Sequence, residues 1–129
     1  MTAIHHLCPV PAEPVHGAIA RLESGEPVGI VHWIFHRSCW TTGAYCYLQD
    51  LFVAPSIRGS GIGRALIQHV YAAAAEAGAS RVHWLTHETN TDAMLLYDRI
   101  ATKSGFIQYR KLLPARPDPP RESDDCNPD

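Results

Sequence analysis

Residues 51–67 read LFVAPSIRGSGIGRALI. Glycines at 59, 61 and 63 fill the middle of this stretch, Arg58 and Arg64 flank them, and apolar residues lie on both sides. The preceding run, Tyr45 to Val53 (YCYLQDLFV), predicts a strand that Ala54-Pro55 ends. After the glycines, Ile62, Leu66 and Val70 recur every four residues and Tyr71–Ala77 is dense in alanine. That pattern predicts a helix over 62–77 with Gly78 as its C′ residue. The glycine turn therefore sits at the C-terminal end of a strand, where open α/β sheets take their ligands. Glycine has no Cβ, so oxygen atoms can approach its N–H closely. The first turn of a helix has four unpaired N–H donors and a dipole that favours an anion. Arg58 and Arg64 add positive charge suited to bidentate phosphate binding. The local chemistry reads as a pyrophosphate site.

Two common phosphate motifs do not fit. A P-loop needs Lys and then Ser or Thr after its last glycine, and this chain has Arg64-Ala65. The dinucleotide fingerprint G-x-G-x-x-G needs glycine at position 64. A glycine-rich hairpin with surface arginines is the bland alternative, and the flanking strand and helix weigh against it.

Upstream, His16–Leu22 and Val28–His36 read as two strands of a hairpin around the turn Glu23-Ser24-Gly25-Glu26-Pro27. Downstream, Arg81–Thr86 reads as a strand close behind the helix, which makes a strand–helix–strand unit with parallel strands. A second helix is expected over Asp92–Thr102, with Met94, Tyr97 and Ile100 at i, i+3 and i+6 and Gly105 closing it. Phe106–Leu112 alternates as a last strand. Residues 1–14 read as an irregular lead-in, 15–113 as the domain, and the proline-rich acidic tail 114–129 as disordered. The fold class is α/β (α+β), a mixed central sheet flanked by helices and shortened at its N-terminus.

The chain has 129 residues, 46% of them hydrophobic, enough for one core. A net charge of -2 gives no footing for nucleic acid or an anionic membrane surface. No apolar run is long enough to span a bilayer, and the N-terminus lacks a signal-peptide pattern, so a cytoplasmic location is expected. Cys8, Cys39, Cys46 and Cys126 follow neither zinc nor disulfide spacing and read as free thiols. Eight histidines form no metal-binding pair at helical spacing, so no metal site is expected.

The stretch LFVAPSIRGSGIGRALI resembles the acetyl-CoA-binding motif of the GNAT superfamily of N-acetyltransferases, in which R-x-x-G-x-G lies between an apolar strand and a helix. Arg58, Gly61 and Gly63 occupy it. HETNTDAMLLYDRIATKSGF is similar to the family's downstream pattern E-x-N-x-x-A-x-x-L-Y followed by G-F, through Glu88, Asn90, Ala93, Leu96, Tyr97, Gly105 and Phe106. The likeness covers about residues 15–112 and extends to the group containing the yeast histone and polyamine acetylase. It implies acetyl-CoA as co-substrate, with the backbone of Leu51, Phe52 and Val53 pairing with the pantetheine arm. It implies that Arg58, Gly59, Ser60, Gly61, Ile62, Gly63 and Arg64 hold the pyrophosphate, that Asn90 bonds the arm, and that Tyr97 protonates the departing thiolate.

The acceptor implied is a primary amine, small, polyamine or peptide. A lysine-type amine has a pKa of ~10.4, so a base must free it for attack. Asp50, a carboxylate within an apolar strand, and Glu88 are the candidate acids. Polyamine acetylases carry Glu-Asp where this chain has Gln49-Asp50, and Gln49 cannot act as a base. His83 and His87 are candidate proton relays, with core or surface roles as the alternative. Acyl transfer through Cys39 or Cys46 is a weaker route, since neither has an adjacent base in sequence. The family usually opens with a strand and helices before the hairpin, and these are expected to be missing here. That would leave a sheet edge and face uncovered, so a homodimer is expected. An acyl-CoA-binding module that senses or regulates stands as the alternative function.

Overall fold

Five strands form one sheet in chain order: β1 (Ala3–Leu7), β2 (Val15–Arg21), β3 (Pro27–Arg37), β4 (Ala44–Val53) and β5 (Val82–His83). The computed structural model describes residues 2–7 and 15–115. They divide into two compact units, one ending at Leu85 and one beginning at Thr86. The sheet is antiparallel from β1 to β4 and parallel between β4 and β5. A single helix in this unit, α1 (Ile62–Glu76), makes the crossover that parallel strands require.

One face of the sheet and α1 make the core. Ala18, Ala20, Val31, Trp33, Cys46 and Leu48 are buried from the sheet, and Ile62, Leu66, Ile67, Val70 and Ala74 from the helix. The helical spacing seen in the sequence is thus the buried stripe of α1. Gly29 sets how closely helix and sheet approach. A Cβ there would lie 3.0 Å from Leu66 Cδ1 and 3.3 Å from Ile62 Cγ2. At its far end α1 stops in a Schellman arrangement. Gly78 takes φ +80, its N–H donates to the Ala75 carbonyl at 3.1 Å, and the Ala79 N–H donates to the Ala74 carbonyl at 2.9 Å.

Several expectations change. The lead-in holds a strand, because Ala3–Leu7 pairs with Gly17–Arg21 and extends the hairpin by one member. A strand therefore precedes the hairpin where an irregular lead-in was expected, and residues 8–14 lie outside the description. β5 is two residues, not the six of Arg81–Thr86. The second unit holds α2 (Thr91–Ile100), which ends before Thr102, with Gly105 five residues beyond it at φ +85. Phe106–Leu112 is not a strand, and Phe106, Ile107, Tyr109 and Leu112 are exposed. Alternation favours a strand only where a neighbouring strand takes up its backbone, and no described strand pairs with this segment. Of the tail expected to be disordered, residues 116–129 lie outside the description, as do Cys8 and Cys126.

The Gly29 contact yields a stability prediction. Gly29→Val should cost about 1–3 kcal/mol, because its methyls must enter space held by Leu66 and Ile62. Urea denaturation checks this: an unchanged midpoint would show that the helix is not seated on Gly29.

Candidate functional site

The glycine turn and the end of β4 form a continuous open surface. After β4, Pro55–Ile57 makes one 3-10 turn, and the chain reaches Gly59 at φ +85 and Gly61 at φ +88. Gly61 is the N-cap of α1 in left-handed conformation, and no side chain caps the helix. The first N–H groups of α1 are thus left to a ligand or water. A Cβ at Gly59 or Gly61 would meet nothing within 4 Å, so the space over the turn is open. At Gly61 the positive φ alone selects glycine. Gly63 differs, since its Cβ would rest 3.7 Å from Val53 Cγ2, an ordinary packing contact. Arg58 is tied to the strand end: its Nε donates to the Val53 carbonyl at 3.1 Å, and its guanidinium lies 5.9 Å from the Phe52 ring centroid. Ser60 Oγ donates to the Ile57 carbonyl and pins the loop. Arg64 is exposed. This donor set fits a pyrophosphate: N–H groups, two guanidinium groups and no carboxylate in residues 54–64.

Beyond the turn, the sheet forks. β5 pairs with β4 only at Cys46↔Val82 and Tyr47↔His83. No described strand pairs with that edge of β4 from Leu48 to Val53. Within the stretch Leu51–Val53, the backbone groups of Leu51 and Val53 turn away from β3 toward this edge, while those of Phe52 turn to β3, so an added strand-like ligand can pair at alternate residues. A β-bulge marks the same place: Asp50 opposes His32 and Leu48 opposes Trp33, which leaves Gln49 without a partner.

The bulge also corrects the reading of Asp50. The flanking residues suggested a carboxylate in an apolar setting. Instead Asp50 is exposed on the face opposite α1, and its Oδ2 lies 3.6 Å from His32 Nδ1. Gly17 makes room for that imidazole, because a Cβ there would fall 3.2 Å from His32 Cδ2. Asp50 thus bears no desolvation cost and stands ready to attract a cation.

The same face carries a polar aromatic cluster at the closed end of the fork. His83 stacks on Tyr47, with centroids 5.2 Å apart and planes at 17°. Its Nε2 lies 2.8 Å from His36 Nε2, and Arg81 covers the Tyr45 ring at 3.8 Å. Burial, then His36 and Arg81, lower the His83 pKa from its ordinary value. Sequence spacing hid this group, because His36 and His83 are 47 residues apart. The register between the strands predicted over Val28–His36 and Tyr45–Val53 was the only signal that could have placed His32 beside Asp50.

In the second unit, Asn90 is the N-cap residue of α2, and its Nδ2 donates to Thr86 Oγ1 at 3.2 Å. Glu88 is exposed in the turn before the helix. His87 Nδ1 lies 2.7 Å from Thr89 Oγ1, so His87 fixes that turn. Tyr97 is half-buried on α2, and burial raises its pKa, which keeps the phenol protonated.

The remaining candidates separate plainly. Cys46 is fully buried and its thiol is pushed up to about 11, so thiolate is scarce and nucleophilic attack disfavoured. Cys39 is exposed. No group of three or more His, Cys, Asp or Glu among the described residues is arranged to hold a metal ion. No described helix is long and apolar enough to cross a membrane. Away from the fork, on the α1 face, a cavity of about 370 Å³ is lined by His6, His16, Trp33, Phe35, His69 and Glu76, among others.

Residues 5–101 match the acetyltransferase (GNAT) family. The chain is 35% identical over 102 residues to the D-amino-acid N-acetyltransferase HPA3 of Saccharomyces cerevisiae, covering 78% of this chain and 63% of that protein. It is 33% identical over 101 residues to the thialysine N-epsilon-acetyltransferase of Caenorhabditis elegans, covering 74% and 62%. An integron cassette protein from the mobile metagenome of V. cholerae superposes with a TM-score of 0.71 at 26% identity, over 78% of this chain and 62% of that one. The chain thus spans a little under two thirds of the length of these curated relatives.

Proposed function

The chain belongs to the acetyltransferase (GNAT) family, and from that premise we propose that it moves an acetyl group from acetyl-CoA to a primary amine by direct transfer. The observation that carries this reading is the open glycine turn capping α1, placed beside a β4 edge with which no described strand pairs past Tyr47. In this reading acetyl-CoA supplies an acetyl carbon activated by a good leaving thiol. The turn from Arg58 to Arg64 binds its pyrophosphate, and Leu51, Phe52 and Val53 bind its pantetheine arm. Asn90 and Tyr97 are assigned by their place in the E-x-N-x-x-A-x-x-L-Y pattern, Asn90 to the arm and Tyr97 to the thiolate's proton. Asp50 attracts the acceptor's ammonium group. Glu88, exposed and acidic, is a further candidate for that side of the reaction.

Two of the relatives are named for action on D-amino acids and on thialysine, which supports a small amine acceptor. The rival reading is an acyl-CoA-binding module, favoured by Gln49 standing at the bulge where a carboxylate would serve as base. Thiol release from acetyl-CoA, measured with D-alanine, thialysine and spermidine, decides between the two. Turnover on any of them supports the enzyme, and CoA binding without turnover on all three supports the module.

Gly61→Val tests the donor site. Forcing a β-branched residue to φ +88 at the helix cap should raise the Kd for CoA at least about tenfold, or about 1.4 kcal/mol. Calorimetry that finds unchanged affinity would remove the turn from the site.

Tyr97→Phe should lower kcat about tenfold and leave CoA affinity within about twofold, since a thiol of pKa ~8.5 leaves with modest help. Loss of the cooperative melt would instead identify Tyr97 as a core residue.

The chain is further proposed to be cytoplasmic and to form a homodimer through the outer edge of β1, where no described strand covers Ala3–Leu7. Sedimentation equilibrium should give twice the chain mass at micromolar concentration, and a monomer there would exclude this assembly.

A further inference from the structure

We propose that His83 takes the proton from the acceptor amine, with His36 behind it fixing its tautomer. The inference rests on the acetyltransferase reading above and adds the base that this reading lacks.

Position comes first. Tyr47↔His83 is the last pair before β4 and β5 part, so His83 stands at the vertex of the fork. With pyrophosphate at the glycine turn beyond Val53, an arm lying along β4 points its thiol end toward that vertex. α1 covers one face of the sheet, through Leu66, Ile67 and Val70 packed over Val31 and Trp33. The acceptor must therefore arrive on the opposite face. That face carries His83, His36, His32 and Asp50.

The hydrogen bonds then fix where the lone pair is. His36 Nδ1 lies 3.1 Å from the Arg37 carbonyl, which can only accept, so Nδ1 of His36 carries its proton. In neutral His36 the Nε2 atom is then an acceptor. His83 Nε2, 2.8 Å away, must be the donor. Neutral His83 is thereby left with an unprotonated Nδ1, and no described residue bonds to that atom. The chain His83–His36–Arg37 carbonyl is polarised so that positive charge arriving at His83 Nδ1 is stabilised through its Nε2–H. The groups facing His83 are His36 from β3, Tyr45 and Tyr47 from β4, and Arg81 at the entry to β5. No carboxylate is among them, and burial, the largest cause, with Arg81 close by, lowers the pKa of the ring from its ordinary value and favours the neutral form. A neutral imidazole is the form a base requires.

The step balances as follows. The acceptor ammonium gives one proton to His83 Nδ1 and becomes a neutral amine. Its nitrogen lone pair forms a bond to the acetyl carbon, and the carbon–sulfur bond breaks with its electron pair on sulfur. The nitrogen's second proton is lost as the amide forms and the thiolate gains one. The net products are amide, thiol and the proton on His83, which leaves to solvent.

His83→Ala is the test, assayed with acetyl-CoA and whichever of D-alanine, thialysine or spermidine the wild type uses. The kcat/KM at pH 7.5 should fall about 10²–10⁴-fold while the Kd for CoA stays within about twofold. Wild-type kcat/KM should show an acid limb lying below the ordinary histidine value of ~6.5, as the lowered pKa of His83 requires, and this limb should vanish in the variant. Added imidazole should restore part of the rate. A variant that keeps a third of the wild-type kcat/KM with the same acid limb overturns the base assignment and leaves the acetyltransferase reading standing. A wild type that binds CoA but transfers to none of the three amines overturns both. A second measurement needs no variant. Nitrogen-15 spectra of the wild type should find His83 protonated at Nε2 and His36 at Nδ1, and a proton on His83 Nδ1 near pH 7.5 overturns the proposal.

Discussion

The parting of β4 from β5 after two residue pairs is the constraint on which the rest of the molecule depends. A strand must satisfy its backbone on both sides or expose it. β4 pairs with β3 along its length except at the Gln49 bulge, and with β5 only at Cys46 and Tyr47. The short α1 crossover and the two-residue β5 therefore leave a row of donors and acceptors leading from Tyr47 to the glycine turn. In most sheets such an edge is an association hazard. Here it runs into a helix N-terminus with open space above it, an arrangement that would suit one ligand with an amide arm and a phosphate end, as proposed above. The bulge at Gln49 belongs to the same arrangement, since it aims Asp50 to the face that α1 leaves uncovered.

Much of the donor side was legible in residues 51–67, because its signals are local. Glycine at 59 and 61 marks positive φ, Pro55 marks the strand's end, and the spacing of Ile62, Leu66 and Val70 marks a buried stripe. These features act within a few residues of themselves, so the order of letters reports them. Gly29 was not readable in this way. Its role is to let Leu66 and Ile62 approach, a contact between elements more than thirty residues apart. Phe106–Leu112 failed for the converse reason: its alternation is local, but a strand also needs a partner that the sequence does not name. The lead-in failed similarly, since Ala3–Leu7 becomes a strand by pairing with Gly17–Arg21.

The acceptor side was nearly illegible. Asp50 stood out only because its neighbours are apolar, and that contrast suggested burial where the structure has exposure. A strand puts successive side chains on opposite faces, so apolar neighbours belong to the other face and say nothing about the carboxylate's surroundings. His36 and His83 come together across three strands, and neither is distinctive alone. Only the hydrogen bond between them, with the Arg37 carbonyl behind, turns two ordinary histidines into a group with a defined lone pair.

That lone pair bears on the choice of acceptor through magnitudes. Each pKa unit between donor and acceptor of a proton corresponds to about 1.4 kcal/mol. Against an ordinary imidazole of about 6.5, freeing an α-amino group of pKa about 7.7–8.0 costs about 2 kcal/mol, and freeing a lysine-type amine of about 10.4 costs about 5 kcal/mol. Burial, the largest cause, lowers the His83 pKa and so widens both gaps equally. The difference of about 3 kcal/mol remains, and a protein that binds the two amines equally well would transfer to the α-amine more than a hundredfold faster. A lysine-type acceptor would have to recover that difference from ammonium desolvation in the fork, and Asp50, exposed beside His32, works against such desolvation by stabilising the charged form. On the proposal that His83 is the base, the acceptor it serves best is an amine that is already close to neutral.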